Sequence, residues 1–396
     1  MTKVYVTGMG ILTALGDSLE SNRDGLKEGR CGIGSLEGFS TRYADSLLFG
    51  EVKRSNEELK KLLSIKEKGV SRTSLLALHA FNQAVQEAGL TNQNISDKNT
   101  ALILANTVGG MCLTDELYRD ANQRDSGSEY VASYDCGSVG IYLQQKFAMH
   151  GIINTINTAC SSSANAIMYG VRLIKKGYAK RAIVGGADSL AKFTINGFNS
   201  LHILSSGRCS PFDVNRDGLN LGEGAAFLVL EAEQHTSDKK KLAEVKGYAN
   251  TNDAFHPSTL SENGDGPYLA MEKALKQAGL NPDEINYINT HGTGTENNDE
   301  VESKAMIKIF KNKVPAFTST KSNIGHTLGA SGAIEAVYSI LNLLYQEIYP
   351  SLSFKESIEA TRLIPEQVYS KAMIKNVMSN SFGFGGNCSS LIFSKV

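Results

Sequence analysis

Two apolar runs, AIVGG (182–186) and AFLVLE (226–231), place apolar residues at consecutive rather than alternate positions and are bounded by glycines. Strands of that kind are buried on both faces. They alternate along the chain with other strand-like and helix-like stretches: KVYVTGMG (3–10), LLALHAFNQAVQEAGL (75–90), TALILANT (100–107) and RAIVGGAD (181–188). That alternation predicts an α/β fold. The pattern also echoes itself. LHAFNQAVQEAGL (78–90) resembles LAMEKALKQAGL (269–280), and each is followed by a polar loop and a strand ending in Asn-Thr, ALILANTVGG (101–110) and INYINTHGTGT (285–295). The repeat distance is too long for a solenoid. It predicts two similar halves, 1–240 and 241–396, joined within the charged stretch EAEQHTSDKKKLAE (231–244). Chance likeness between two amphipathic helices is the competing explanation.

Composition narrows the function. A formal net charge of −1 argues against nucleic acid as a partner, because phosphate binding needs a concentrated basic face. The first residues, MTKVYVTGMG, lack the charged and apolar regions of a signal peptide. No uninterrupted apolar run approaches about 18 residues, so no membrane span is expected and a cytoplasmic location is. Six cysteines (31, 112, 136, 160, 209 and 388) are scattered without CxxC spacing. They read as free thiols, with no metal site expected, and five of them as small core residues.

Cys160 is the one that needs a separate reading. GIINTINTA before it predicts a buried strand, and SSSANAIMYGVRLIKKG after it a helix with a first turn of Ser and Ala. A cysteine at a helix start lies at the positive end of the dipole, which lowers its pKa and suits a nucleophile. A packed thiol in a small-residue turn is the ordinary alternative. Two histidines occupy matching settings, His291 in THGTGT (290–295) after INYIN, and His326 in KSNIGH (321–326) after AFTST. Both loops follow strands, where α/β sheets place their sites. GASGAIEAVYSILNLL then repeats the small-residue helix start. Near the end, SFGFGG (381–386) is a glycine loop whose amides could approach a ligand. Together these residues point to a Cys/His/His constellation. His79, His150, His202, His235 and His256 lack such settings and read as structural.

TACSSS, THGTGT, KSNIGH and NSFGFGG, in this order and spacing, closely resemble the decarboxylating β-ketoacyl-acyl-carrier-protein synthases. The likeness is to the elongating II type and to type II polyketide ketosynthases, and it runs from VYVTGMGILTALG to SLIF. It implies the thiolase fold, two similar halves in five αβαβα layers. It also implies a reaction: an acyl group held on Cys160 condenses with malonyl-acyl carrier protein, releasing CO2 and giving a 3-oxoacyl chain two carbons longer. His291 and His326 would stabilise the enolate, and the Cys160 and Phe384 amides the tetrahedral oxyanion. Lys321 and Glu335 match an ordering ion pair. Thr293 and Thr295 match hydroxyls that hold the phosphopantetheine arm, Phe384 a gate with Gly385 in its loop, and Val108 a pocket-lining aliphatic residue.

The resemblance further implies an acyl carrier protein as partner and a homodimer, or a heterodimer with a chain-length-factor-like homologue. It implies no cofactor beyond the carrier's phosphopantetheine. Carrier proteins are acidic, so basic residues should rim the entrance, with Lys66, Lys68 and Arg72 as candidates. The chain departs from the family pattern at Asn387-Cys388 for Thr-Asn, at ENND after THGTGT, at CSPFD (209–213), and in a short stretch between Val108 and Cys160. These departures suggest a specialised member, in an aryl-polyene or other polyketide-like pathway, against general fatty-acid elongation. Two rivals share the fold: a thiolase acting on CoA esters, with Cys388 as second cysteine, and a non-elongating chain-length factor, which would lack Cys160.

Overall fold

A computed structural model describes residues 2–311 and 313–396. Five strands come from the first part of the chain: β1 (Val4–Leu12), β2 (Thr100–Ala105), β3 (Ile153–Ile156), β4 (Arg181–Asp188) and β5 (Gly224–Ala232). Five more follow: β6 (Ala243–Asn252), β7 (Tyr287–Asn289), β8 (Ala316–Thr318), β11 (Asn376–Phe382) and β12 (Asn387–Ser394). A separate ribbon pairs β9 (Glu347–Ile348) with β10 (Ser370–Lys371). The ten run in the order β3-β2-β4-β5-β1-β6-β12-β11-β7-β8. From the central β1–β6 contact outward, each side reads antiparallel, antiparallel, parallel, parallel. The echo in the sequence is therefore a repeat of topology. At the centre the β1–β6 ladder pairs Tyr5 with Glu244 and Val6 with Ala243.

Six helices matter here: α1 (Arg72–Glu87), α2 (Ser162–Lys175), α3 (Lys192–Ser200), α4 (Asp265–Ala278), α5 (Glu296–Phe310) and α6 (Ser331–Tyr345), of which all but α3 build the layers. Side-chain alternation assigns them. On β2, Ala101, Ile103 and Ala105 face the core shared with α2 and α6, while Leu102 and Leu104 face α1. Across the other side, α4 and α5 cover Ile288, Met378 and Ile392. Helices α2 and α6 thus lie between two sheet halves with α1, α4 and α5 outside, giving five αβαβα layers.

The central layer explains the small residues after Cys160. A Cβ on Gly332 would come within 2.7 Å of the Ala164 amide nitrogen and 3.0 Å of the Ala164 Cβ. The Ala333 amide donates across to Ser163 Oγ at 2.8 Å. Only Gly, Ala and Ser let the two helix starts approach so closely.

Two expectations change. Residues Leu328–Tyr345 are long and apolar enough to cross a membrane by length and composition, yet 89% of that window is buried inside the protein, because α6 is the core of the middle layer. Strand β3 is an edge strand, half-buried with Asn154 exposed, since only β2 pairs with it. Gly332→Val should overpack the helix crossing and lower stability by about 1–3 kcal/mol or more, read as a shift in the urea midpoint.

Candidate active site

Cys160 lies in the turn from β3 into α2. Ala159 before it is held at φ 52°, a region costly for a residue with a Cβ. Serines hold this bend: Ser162 Oγ accepts from the Thr158 amide at 2.8 Å and donates to the Ala159 carbonyl at 2.5 Å. Ser161 Oγ donates at 2.7 Å to Asn387 Oδ1, which also accepts from the Asn165 and Asn250 amides. Asn387, one departure from the family pattern, is therefore a hub tying the cysteine turn to the end of the glycine loop.

His326 follows β8 at the corresponding place in the second half, just before α6. Its Nδ1 accepts from the Leu328 amide at 3.1 Å. The ring proton must then sit on Nε2, which is buried with no protein partner. His291 follows β7. Its amide donates to Glu302 Oε1 at 3.0 Å, and Lys321 Nζ donates to its carbonyl at 2.6 Å. The same ammonium lies 3.3 Å from His291 Nδ1, leaving Nε2 as its N–H. The rings stand 5.4 Å apart at 85°, and Cys160 Sγ and a nitrogen of each histidine fall within 4.8 Å of one another.

Burial sets the protonation states. Both imidazoles are held well below the ordinary histidine value, first by desolvation and then by Lys321, so they are neutral donors. Glu335, paired with Lys321, is pushed up to about 7 by burial, against the pull of that lysine. The Cys160 thiol departs from expectation. Burial raises it to about 11, and the Phe384 amide, Lys321 and its own amide pull down by less. The helix start favours the thiolate, but desolvation outweighs it.

The three donor atoms are close enough to suggest a metal. A metal would need a lone pair on each Nε2, moving the protons to Nδ1, which in His326 faces the Leu328 N–H and in His291 the Lys321 ammonium. These tautomers suit hydrogen-bond donation, not ligation.

A cavity of about 350 Å³ opens onto this group, lined by Cys160, His291, His326, Thr293, Thr295 and Phe384 among others. Lys321 and Glu335 stand behind His291, each 2% exposed, so they form no surface pair. Val108 is buried beside Leu190 and Leu328, away from the cavity lining. Gly385, at φ 78°, spends its amide on the Pro257 carbonyl at 2.7 Å. The Phe384 ring stacks on Phe198 of α3, 5.9 Å between centroids. Phe198 escaped the sequence reading because an aromatic on a helix looks like core.

His202, read as structural, lines the cavity, held there by a left-handed backbone at φ 54°. Arg72 is no docking residue: its guanidinium is half-buried on Glu223 and on the Val52 and Arg54 carbonyls. Lys66 and Lys68 are exposed but line no part of the cavity, whose acidic lining residues are Asp217 and Glu296, with no lysine or arginine in the lining among the described residues. Cys31, Cys112 and Cys136 are half-buried, so only Cys209 and Cys388 fit the core reading.

Residues 1–236 match the Beta-ketoacyl synthase N-terminal domain and residues 242–355 its C-terminal domain. The chain belongs to the β-ketoacyl synthase family. Among relatives of this β-ketoacyl synthase, 3-oxoacyl-[acyl-carrier-protein] synthase 2 of Synechocystis sp. is 33% identical, over 99% of this chain and 98% of that one. The ishigamide ketosynthase/chain length factor superposes with a TM-score of 0.94 at 27% identity, covering 100% and 99% of the two chains. A ketosynthase (ApeO) solved in complex with its chain length factor (ApeC), from Xenorhabdus doucetiae, gives 0.88 at 32% identity, covering 100% and 98%.

If burial governs the thiol, iodoacetamide alkylation of Cys160 should keep rising with pH toward about 11. A plateau near neutral pH, read by intact-protein mass spectrometry, would reveal a pre-formed thiolate instead.

Proposed function

We propose that this β-ketoacyl synthase joins an acyl chain held on Cys160 to malonyl-acyl carrier protein by decarboxylative Claisen condensation. The observation that carries the reading is the buried, unpartnered Nε2–H of His326, beside His291 and within reach of the thiol. Cys160 attacks an acyl thioester, and its proton leaves with the departing phosphopantetheine thiol. The Cys160 and Phe384 amides, which already lie toward the sulfur, hold the oxyanion. Malonyl thioester then loses CO2, and two N–H donors receive the enolate oxygen in a dry pocket. The enolate carbon attacks the acyl-cysteine carbonyl, and the sulfur leaves as a thiolate and takes up from solvent the one proton that the condensation consumes. Lys321 and Glu335 keep His291 in place, and the Thr293 and Thr295 hydroxyls, 2.9 Å apart, meet the phosphopantetheine arm.

In this reading residues 1–240 carry the nucleophile and 241–396 the histidines. The partner is an acyl carrier protein, with a second homologous chain, identical or chain-length-factor-like, completing a dimer. The carrier's phosphopantetheine is the only prosthetic group required. The chain extended belongs to fatty-acid or polyketide-type biosynthesis, aryl polyenes included, in a bacterial-type cytoplasm. The thiolase reading is weaker: Cys388 is fully buried, raised by desolvation, and its Sγ donates to the Gly386 carbonyl at 3.4 Å. The presence of Cys160 in this setting counts against a non-elongating subunit.

Cys160→Gln should keep malonyl decarboxylation while abolishing condensation; loss of both would undo this division of roles. His326→Ala should cost decarboxylation roughly 100-fold, as removal of one oxyanion donor does. Because both imidazoles are held neutral, the decarboxylation rate should show no imidazole step near 6.5. Cys388→Ser should leave most condensing activity, and its complete loss would restore the thiolase reading.

A further inference from the structure

Asp188, at the end of β4, is fully buried, and no basic residue forms a salt bridge with it among the described residues. Hydrogen-bond donors from both halves of the protein satisfy it instead. Oδ1 accepts from Asn106 Nδ2 at 3.1 Å, the Thr107 amide at 2.9 Å and the Val108 amide at 2.8 Å. Oδ2 accepts from Thr107 Oγ1 at 2.6 Å and from the Gly329 amide at 2.7 Å. An uncompensated buried carboxylate costs several kcal/mol, and these five donors offset that cost.

The Gly329 bond is the one that crosses between halves, and it lands on a critical turn. Gly329 follows Leu328, a residue strained at φ 52° whose amide fixes the His326 tautomer. The space around it is closed: a Cβ on Gly329 would meet Thr107 Cγ2 at 2.7 Å and Asp188 Oδ2 at 2.8 Å. The carboxylate is thus the anchor of the turn that orients His326, supplied by the half that carries the nucleophile.

We propose that Asp188 is a positioning residue for decarboxylation. It holds the Leu328–Gly329 turn so that His326 keeps its proton on Nε2, aimed into the cavity, and it locks that turn to the Thr107–Val108 loop. The inference rests on the condensation reading, so the wild-type protein is the first arm: it must accept an acyl group on Cys160 and decarboxylate malonyl-carrier protein.

Asp188→Asn separates the two sides. The amide oxygen can still accept from residues 106–108, but the amide nitrogen then faces the Gly329 N–H, donor against donor. Acyl loading of Cys160, followed by mass spectrometry, should stay within a few-fold of wild type. Malonyl decarboxylation, measured in a Cys160→Gln background, should lose roughly 10- to 100-fold in kcat with KM little changed, as expected for a misplaced catalytic group. Losses that match in loading and decarboxylation, or no loss in either, overturn the proposal and leave Asp188 a structural staple. A second measurement does not depend on Asp188→Asn folding. With ¹⁵N-labelled histidines, assigned by difference with His326→Asn, wild-type His326 should show the Nε2–H tautomer at neutral pH, and an Nδ1–H signature overturns the proposal. Where Asp188→Asn folds, its His326 signal should show mixed tautomers, and an unchanged signal refutes the link.

Discussion

Everything at the active site depends on how closely the starts of α2 and α6 pack in the middle layer. Ala164 against Gly332, with Ser163 receiving the Ala333 amide, leaves no room for larger side chains. Because each helix is preceded by a strand and a reactive residue, that one crossing sets Cys160 of one half beside His326 of the other. His291 arrives from β7, the neighbour of β8, and is held there by Glu302 and Lys321.

Burial then decides the chemistry. In a wet cleft the imidazoles would titrate near neutrality and a cysteine at a helix start would ionise readily. Here desolvation keeps the histidines neutral and the thiol protonated, while Lys321 and Glu335 place a charge pair behind His291. A neutral N–H donor can meet an enolate oxygen without first giving up a proton, and in a dry pocket such a bond is worth far more than in water. The raised thiol is the other face of the same property.

Much of this was legible in the chain. Consecutive apolar residues in AIVGG and AFLVLE revealed strands covered on both sides, and the helix echo at 78–90 and 269–280 revealed the topological repeat. Cys160, His291 and His326 stood out because small-residue loops after strands are where such sheets hold ligands. Arg72 misled, since an arginine at a helix start looks like a surface cation until Glu223 is found beneath it. Phe198, His202 and Asp188 carried no local signal. Each depends on a partner far along the chain: Phe384, the cavity wall and Gly329.

The sequence by itself determined the α/β class and the internal echo, which follow from periodicity, and it singled out Cys160, His291 and His326 by residue types in short windows, while the five layers were implied by the resemblance to the β-ketoacyl synthases. The tertiary structure alone decided which proton each histidine carries, that the thiol rests protonated, and which carboxylate anchors the His326 turn. Those properties come from burial and from hydrogen bonds between segments more than a hundred residues apart, such as Asp188 and Gly329. No local pattern encodes them, because the dielectric around a group is set by whatever the rest of the chain packs against it.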